Sequence, residues 1–340
     1  MKRKSYAIRK LLLVIPLFLG TSFIIFTLVC FYMQQRSIFY PLSSIDYIKS
    51  IYGLDHPWYV QYLYWLKEVV TGNLGFSLLS GKVESAKIIT VTVITLLYQL
   101  TGIILSLILG IPLGIMSAIK QHSRIKPCMM TGALLGGSVP LFFSGLLIRF
   151  LFSFILGWFP EGGIHSQEFL EYTIPHNAGY YADYLNHLIL PSLTVALAGM
   201  FYIAHLVELS MLHVLRENYI KVAHSKGLGE RTVIYRHAIK NALLPAMKGL
   251  GLAIVVMLGA APLIEGVFLL PGLGMSFVYS MWHLDYYIAM GTTLVLAILI
   301  IVVNLIIDIV HGFLNPTATL QTVSAPGWLY PIWKAGISKA

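Results

Sequence analysis

Few side chains in this sequence have the type and placement to do chemistry, and each lies in or beside a long apolar run. Arg149 sits inside the run 127–159, about ten residues or ~15 Å of helix before Pro160. A guanidinium at that depth in hydrocarbon is costly, so it must face a cavity or a partner. Two readings stay open: it lines a solute path and attracts a carboxylate, or it snorkels to an interface or pairs with Glu265. Glu265 stands near the end of a second apolar run and reads as an interfacial carboxylate, and Asp308 ends a third as a boundary residue rather than a proton carrier. His165, His176 and His187 share one acidic stretch, but spacings of eleven residues place no two on one helical turn and no cysteine assists, which argues against a metal centre. Between Gly75 and Gly81 stand five residues where a phosphate loop has four, and Val83 follows Lys82 where a Ser or Thr would hold magnesium. No catalytic residue and no nucleotide site are expected, so energy for any work must come from another chain.

The densest polar stretch is 211–250. It carries Arg216, Lys221, Lys226, Arg231, Arg236, Lys240 and Lys248 against only Glu217 and Glu230. Leu212, Leu215, Tyr219, Val222 and Ala223 recur at helical steps and make one apolar stripe, with Arg216, Glu217 and Lys221 off it. Gly227 after Lys226 is a helix-ending signal that suits a positive φ. A second helical run is expected over 230–243, with Glu230 at its positive end, Lys240 at its negative end and Pro245 just beyond it. The spacing therefore predicts a basic helix, a glycine turn and another helix in water.

These residues are positioned by a membrane bundle. The chain is 57% hydrophobic and 11% charged, with a mean hydropathy of +0.79, too little polar residue to cover a soluble globule of 340 residues. The net charge of +9 would suggest nucleic acid in a soluble protein, but here the location of the charges carries the meaning. Cys30 and Cys128 lie in or near apolar runs and imply no disulfide framework. Spans are expected at 11–33, 88–119, 127–159, 188–210, 249–270 and 286–308. The first reads as an uncleaved anchor, being long for a signal peptide and lacking a small-residue cleavage site. Gly110 and Gly114 form a GxxxG that suggests close contact with another span.

Lys and Arg number five in segment 1–10, three in 120–126, seven in 211–248 and two in the tail 309–340, but none in 160–187 or 271–285. Under the positive-inside rule the N-terminus, the hinge 120–126, the loop 211–248 and the tail 309–340 face the cytoplasm. A polar helical insert at 34–87 and the loops 160–187 and 271–285 then lie outside.

The string Val222-Ala223-His224-Ser225-Lys226-Gly227-Leu228, followed by Arg236-His237-Ala238, Asn241-Ala242 and Leu244-Pro245, resembles the cytoplasmic "EAA" loop of ABC-importer permeases. The form is that of the oligopeptide, dipeptide and nickel branch. Lys221 stands where other branches have the name-giving glutamate, and the spacer to Leu244-Pro245 is five residues longer, both as in that branch. The same family is echoed by Tyr52-Gly53-Leu54-Asp55-His56-Pro57, Gly72-Asn73-Leu74-Gly75-Phe76-Ser77, Ser138-Val139-Pro140-Leu141-Phe142 and Leu156-Gly157-Trp158-Phe159-Pro160 with Gly163. Ile264-Glu265-Gly266-Val267-Phe268 and Pro271-Gly272-Leu273-Gly274 match as well. Asn315-Pro316-Thr317 departs from the Asp-Pro-Arg with which family members often close the last span.

The resemblance implies an all-α polytopic membrane protein of the type I ABC-importer permease fold, with six transmembrane helices, an extracytoplasmic helical insert and a cytoplasmic coupling loop. It implies that Tyr219, Val222, Ala223, Lys226, Gly227, Leu228, Glu230, Arg236 and His237 couple the chain to ATPase subunits. By the same resemblance Glu265 gains a candidate role in the gate or path beside Arg149, its satisfied-carboxylate reading remaining open. The implied partners are a homologous second permease, two ABC ATPase subunits, an extracytoplasmic solute-binding protein and the lipid bilayer of a bacterial inner membrane. No cofactor is implied for this chain, and ATP and magnesium belong to the ATPases. Short peptides lead as solutes, with antimicrobial peptides, polyamines, glutathione, opines and metal chelates as alternatives. A self-sufficient secondary transporter or channel would need embedded acidic residues or inverted repeats, and neither is seen beyond the embedded charges of Glu265 and Arg149. A nucleic-acid role is disfavoured, because a basic hairpin tethered between two spans cannot settle into a major groove.

Overall fold

A computed structural model describes residues 2–35, 49, 51–120, 127, 131–132, 139–166 and 178–314. The insert's first part, most of the hinge 120–126, the first half of the expected third span, His176 and the tail after Leu314 lie largely or wholly outside the described residues. Helix α1 (Lys2–Gln35) leads to α2 (Trp58–Val70) and a two-stranded antiparallel hairpin, β1 (Phe76–Ser77) and β2 (Lys82–Val83), with Phe76 opposite Val83. Then come α3 (Ser85–Ile119), α4 (Leu141–Arg149) running on into a π-helical turn at Phe150–Ile155, α5 (Ala178–Leu215) and the short α6 (Asn218–Ser225). A continuous helical run follows: α7 (Glu230–Thr232), a π segment (Val233–Ala238) and α8 (Ile239–Gly259). The chain closes with α9 (Ala261–Phe268), α10 (Leu273–Trp282) and α11 (Tyr286–Leu314).

Among the described residues, α1, α3, α5 and α11 are each long and apolar enough to cross a bilayer, and the number reaches six if each of two bent helix pairs is one span. One pair, Glu230–Met247 with Gly249–Gly259, bends by 47°, and the other, α9 with α10, by 86°. The third expected span contributes the apolar helix Leu141–Ile155.

Several boundaries differ from those expected. Helix α5 starts at Ala178 instead of 188, because Asp183 in its first turns is satisfied by Ser166 and need not remain in a loop. The second helix of the basic stretch does not stop before Pro245 but passes through it to Gly259. The missing Pro N–H is tolerated there with a bend just beyond, the usual consequence of an internal proline. The insert is not purely helical, since its β-hairpin packs beneath the α10–α11 turn.

The tightest seam runs between α3 and α5. A Cβ on Gly102 would lie 2.7 Å from the Ser192 carbonyl oxygen, one on Gly110 would lie 2.7 Å from that of Met200, and one on Gly114 would run into that of Ala204. Backbones this close admit only hydrogen at those positions, so the expected GxxxG contact is this seam. At the opposite edge α1 packs on α11 and the insert through Phe26, Tyr52, Trp65, Phe76, Tyr286, Tyr287 and Met290, with Tyr52 and Tyr287 stacked at 3.9 Å. Lys10 and Asp308 pair at 2.7 Å across α1 and α11, which makes Asp308 an ion-paired boundary residue.

The hairpin is held by Asp285, which accepts hydrogen bonds from Ser77 Oγ at 2.6 Å and from the Leu78 amide at 2.9 Å. Burial pushes the Asp285 carboxyl above its ordinary pKa, the two donors opposing the shift in part. A raised folded-state pKa means that the native protein holds this proton more tightly than the unfolded chain. Its contribution is therefore fully present below the unfolded value and is lost as pH rises through the folded one. Thermal unfolding of the wild type, with the Asp285→Asn variant as reference, should show a stability difference that moves against the wild type as pH rises. A difference that does not move with pH would refute the assignment.

Candidate functional site

Two places concentrate polar side chains that the bundle positions: the basic hairpin after α5, and a buried carboxylate where α9 turns into α10.

At the hairpin, α5 ends at Leu215 and Glu217 turns extended, its carbonyl accepting from the Ile220 amide as α6 begins. Helix α6 ends where the Gly227 amide donates to the His224 carbonyl, and Gly227 has φ +76°, the left-handed region expected of it. The short helix has two faces. Ile220 and Ala223 are buried in one cluster with Val207, Met211 and Val214 of α5, Ala118 of α3 and Val233, Ile234 and Ala238. Tyr219, Val222, Lys226, Gly227, Leu228, Glu230 and Arg236 are exposed, and His237 is half-buried. The structure thus gathers the predicted residues on one hairpin, with Ala223 alone fully inside. Asn241 Nδ2 donates to Tyr219 Oη at 3.0 Å and pins α6 to α8.

Sequence reasoning missed Tyr235, 70% exposed among the cations. The π segment turns Val233, Ile234 and Ala238 inward together, a five-residue step that a 3.6-residue period does not show, and leaves Tyr235 pointing out.

At the second place, Glu265 is fully buried. Its carboxylate accepts from Thr95 Oγ at 2.6 Å, Tyr98 Oη at 3.2 Å and the Met275 amide at 2.7 Å, with the Gly274 amide a further donor. Those two amides belong to the first turn of α10, so Glu265 caps that helix from α9. Thr95 Oγ also accepts from the Leu273 amide at 2.8 Å, and Gln99 Nε2 donates to the Met257 carbonyl at 3.0 Å. Gly272 must be glycine because a Cβ there would run into the Glu265 carboxylate. Leu269, in left-handed conformation at φ +53°, makes the turn between the two helices.

Arg149 does not pair with Glu265. Its Nη1 donates to the Val267 carbonyl at 2.6 Å, near the end of α9. His165 Nδ1 lies 3.3 Å from the Asp183 carboxylate, which also accepts from the Ser166 amide and hydroxyl, while His187 Nδ1 faces the Asp183 carbonyl at 2.9 Å. Another carboxylate that sequence reasoning passed over, Glu208 of α5, is buried and accepts from Ser117 of α3 at 2.9 Å. Its place at the edge of a basic loop hid it in the sequence.

A glycine-seamed helical bundle with a capped, sharply bent helix pair, bearing one two-faced basic hairpin, defines a polytopic membrane protein of the transport-permease class. Residues 110–319 match the family described as binding-protein-dependent transport system inner membrane component, and the chain belongs to that family. It is 36% identical over 323 residues to the oligopeptide transport system permease protein AppB of Bacillus subtilis (strain 168), covering 92% of this chain and 98% of the relative. It is 32% identical over 334 residues to the dipeptide transport system permease protein DppB of Alkalihalophilus pseudofirmus, with the same coverage. It is also 31% identical over 321 residues to the glutathione transport system permease protein GsiC of Escherichia coli O6:H1, again covering 92% and 98%. The chain is therefore an inner-membrane permease component of a binding-protein-dependent transport system.

Proposed function

We propose that this chain forms part of the membrane passage for short peptides or similar small solutes and is moved by ATP hydrolysis in separate subunits. The relatives named for oligopeptides, dipeptides and glutathione support the solute class. In this reading a homologous second permease completes the passage, two ATPase subunits carry ATP and magnesium, and an extracytoplasmic solute-binding protein delivers the solute. The chain itself binds no cofactor and catalyses nothing. The N-terminus, the basic hairpin and the C-terminus are cytoplasmic, as the distribution of Lys and Arg supports.

The observation that carries the reading is the two-faced α6. Its exposed Tyr219, Val222 and Lys226 offer a mixed apolar and cationic ridge to a partner. Its buried Ile220 and Ala223 share a packed cluster with the ends of α3 and α5. Closure of the ATPases on that ridge would move the cluster as a body, and a close-packed interface answers by switching between arrangements. Glu265 takes the part of a positioning group for α10 rather than a solute contact, because protein donors enclose it.

The test is sidedness and occlusion. A single cysteine replacing Lys226, with Cys30 and Cys128 removed, should react with a membrane-impermeant maleimide in inside-out vesicles only, and should be protected when the ATPase subunits are present. Labelling in right-side-out vesicles, or no protection by the ATPases, would overturn the reading.

A further inference from the structure

Helix α4 and the loop after it carry a pair of opposite charges, Arg149 and Glu161, that the transport reading does not use. Leu146, Arg149, Phe150, Ser153, Phe154 and Glu161 line a pocket of about 280 Å³. Arg149 donates one N–H to the Val267 carbonyl. Among the described residues, neither its remaining donors nor the Glu161 carboxylate has a protein partner, and the two do not pair with each other. A half-buried guanidinium with five N–H donors and one protein acceptor has donors to offer an anion.

The rest of the pocket says which anion. Phe150 and Phe154 stack at 5.5 Å and form its wall, and Phe154 is 71% exposed. Leu147, Leu151 and Ile155 on the same helix are exposed as well, and Trp158 lies beyond them at the end that carries Glu161. Exposed apolar side chains along the helix, with exposed Trp158 just past its end, suit a face turned to lipid. A polar solute would gain nothing from the phenylalanine wall, whereas an acyl chain would. The guanidinium fork matches a phosphate, and the separate carboxylate at the rim matches an ammonium a few bonds away.

We propose that the Arg149–Glu161 pocket binds a phospholipid whose head group joins a phosphate to a primary amine, with the phosphate on Arg149, the ammonium on Glu161 and one acyl chain along Phe150 and Phe154. The site stands whatever solute the transporter carries. A lipid bound there bridges α4, the loop after it and, through Arg149, the end of α9.

The test is native mass spectrometry of the assembled, delipidated transporter titrated separately with dioleoyl phosphatidylethanolamine, phosphatidylcholine and phosphatidylglycerol. The wild type should bind one phosphatidylethanolamine more tightly than either of the others. Arg149→Gln should lower that affinity about ten-fold, the scale of a lost charge-assisted contact, and Arg149→Lys should fall between. Glu161→Gln should lower it about three-fold, as for an exposed ion pair, and erase the preference over phosphatidylglycerol. Because Glu161 is exposed, its variant still decides the matter if an Arg149 variant fails to fold. Equal phosphatidylethanolamine affinity in wild type and Glu161→Gln, or phosphatidylglycerol binding as tightly as phosphatidylethanolamine to the wild type, would overturn the proposal. Displacement of the lipid by trialanine, lost in Arg149→Gln, would overturn it in favour of a solute-carboxylate site.

Discussion

Gly227→Asp is expected to leave the transporter assembled but uncoupled: in proteoliposomes, ATP-driven uptake and solute-stimulated hydrolysis should both fall at least about ten-fold, the effect of roughly 1.4 kcal/mol lost at the coupling contact. The physical reason starts from the backbone. Gly227 closes α6 at φ +76°, where a residue with a Cβ costs roughly 1–2 kcal/mol. Nothing lies within 4 Å of the place a Cβ would occupy, so the substitution brings no clash and should not unfold the bundle. The strain is instead relieved locally, by re-aiming the turn between α6 and α7, and that shifts Leu228 and Glu230 relative to Tyr219 and Val222. The new carboxylate also stands beside Lys226 and opposes the sign of the ridge. Gly227→Asn separates the two effects, because asparagine enters the left-handed region more readily and brings no charge. It should retain most of the uptake. Full uptake by the Asp variant would remove the hairpin from the coupling mechanism, whereas loss of the assembled complex would show that the turn serves folding instead.

Gly227 is legible in the sequence because one local rule, a glycine after the last helical residue, needs no knowledge of the rest of the chain. The α3–α5 seam is legible for a similar reason, since Gly110 and Gly114 mark a close approach whatever the partner. What the sequence hides depends on contacts between distant segments. Glu265 lies 170 residues from the Thr95 hydroxyl that binds it, and nothing local says that its acceptors face the first turn of α10. The helix through Pro245 is hidden because proline ends helices in water, whereas here the apolar stretch beyond it holds the helix together in a bundle. Tyr235 is hidden by the π segment, whose wide turn breaks the periodicity by which faces are read. The six-span outline is legible because apolar length is a property of each segment alone. The 86° turn of α9 into α10 is not, since it is set by a cap from across the bend.

That cap yields the second large effect. Every group facing the Glu265 carboxylate is a donor. Thr95 Oγ accepts the Leu273 amide and has one proton within reach of both the carboxylate and the Val91 carbonyl, and the Gly274 and Met275 amides can only donate. Tyr98 Oη lies 3.5 Å from Gln99 Nε2, itself a donor, and so turns its own proton to the carboxylate. A glutamine at this position has the right volume but keeps only one acceptor oxygen, so it cannot accept from the Met275 amide, Thr95 Oγ and Tyr98 Oη together as the carboxylate does. Glu265→Gln should therefore destabilise the protein by about 3 kcal/mol, the scale of breaking a buried charge-assisted hydrogen-bond set. The damage should be local. Hydrogen exchange should rise across Gly272–Ser280, where α10 loses its cap, while the glycine seam of α3 and α5 stays protected. Joining Glu265→Leu to Thr95→Val should cost less than the sum of the two single changes, because the two side chains are hydrogen-bonded to each other and that bond can be lost only once. Unchanged exchange across α10 in the Glu265→Gln protein would mean that the bend is held by packing alone and that the carboxylate only fills space.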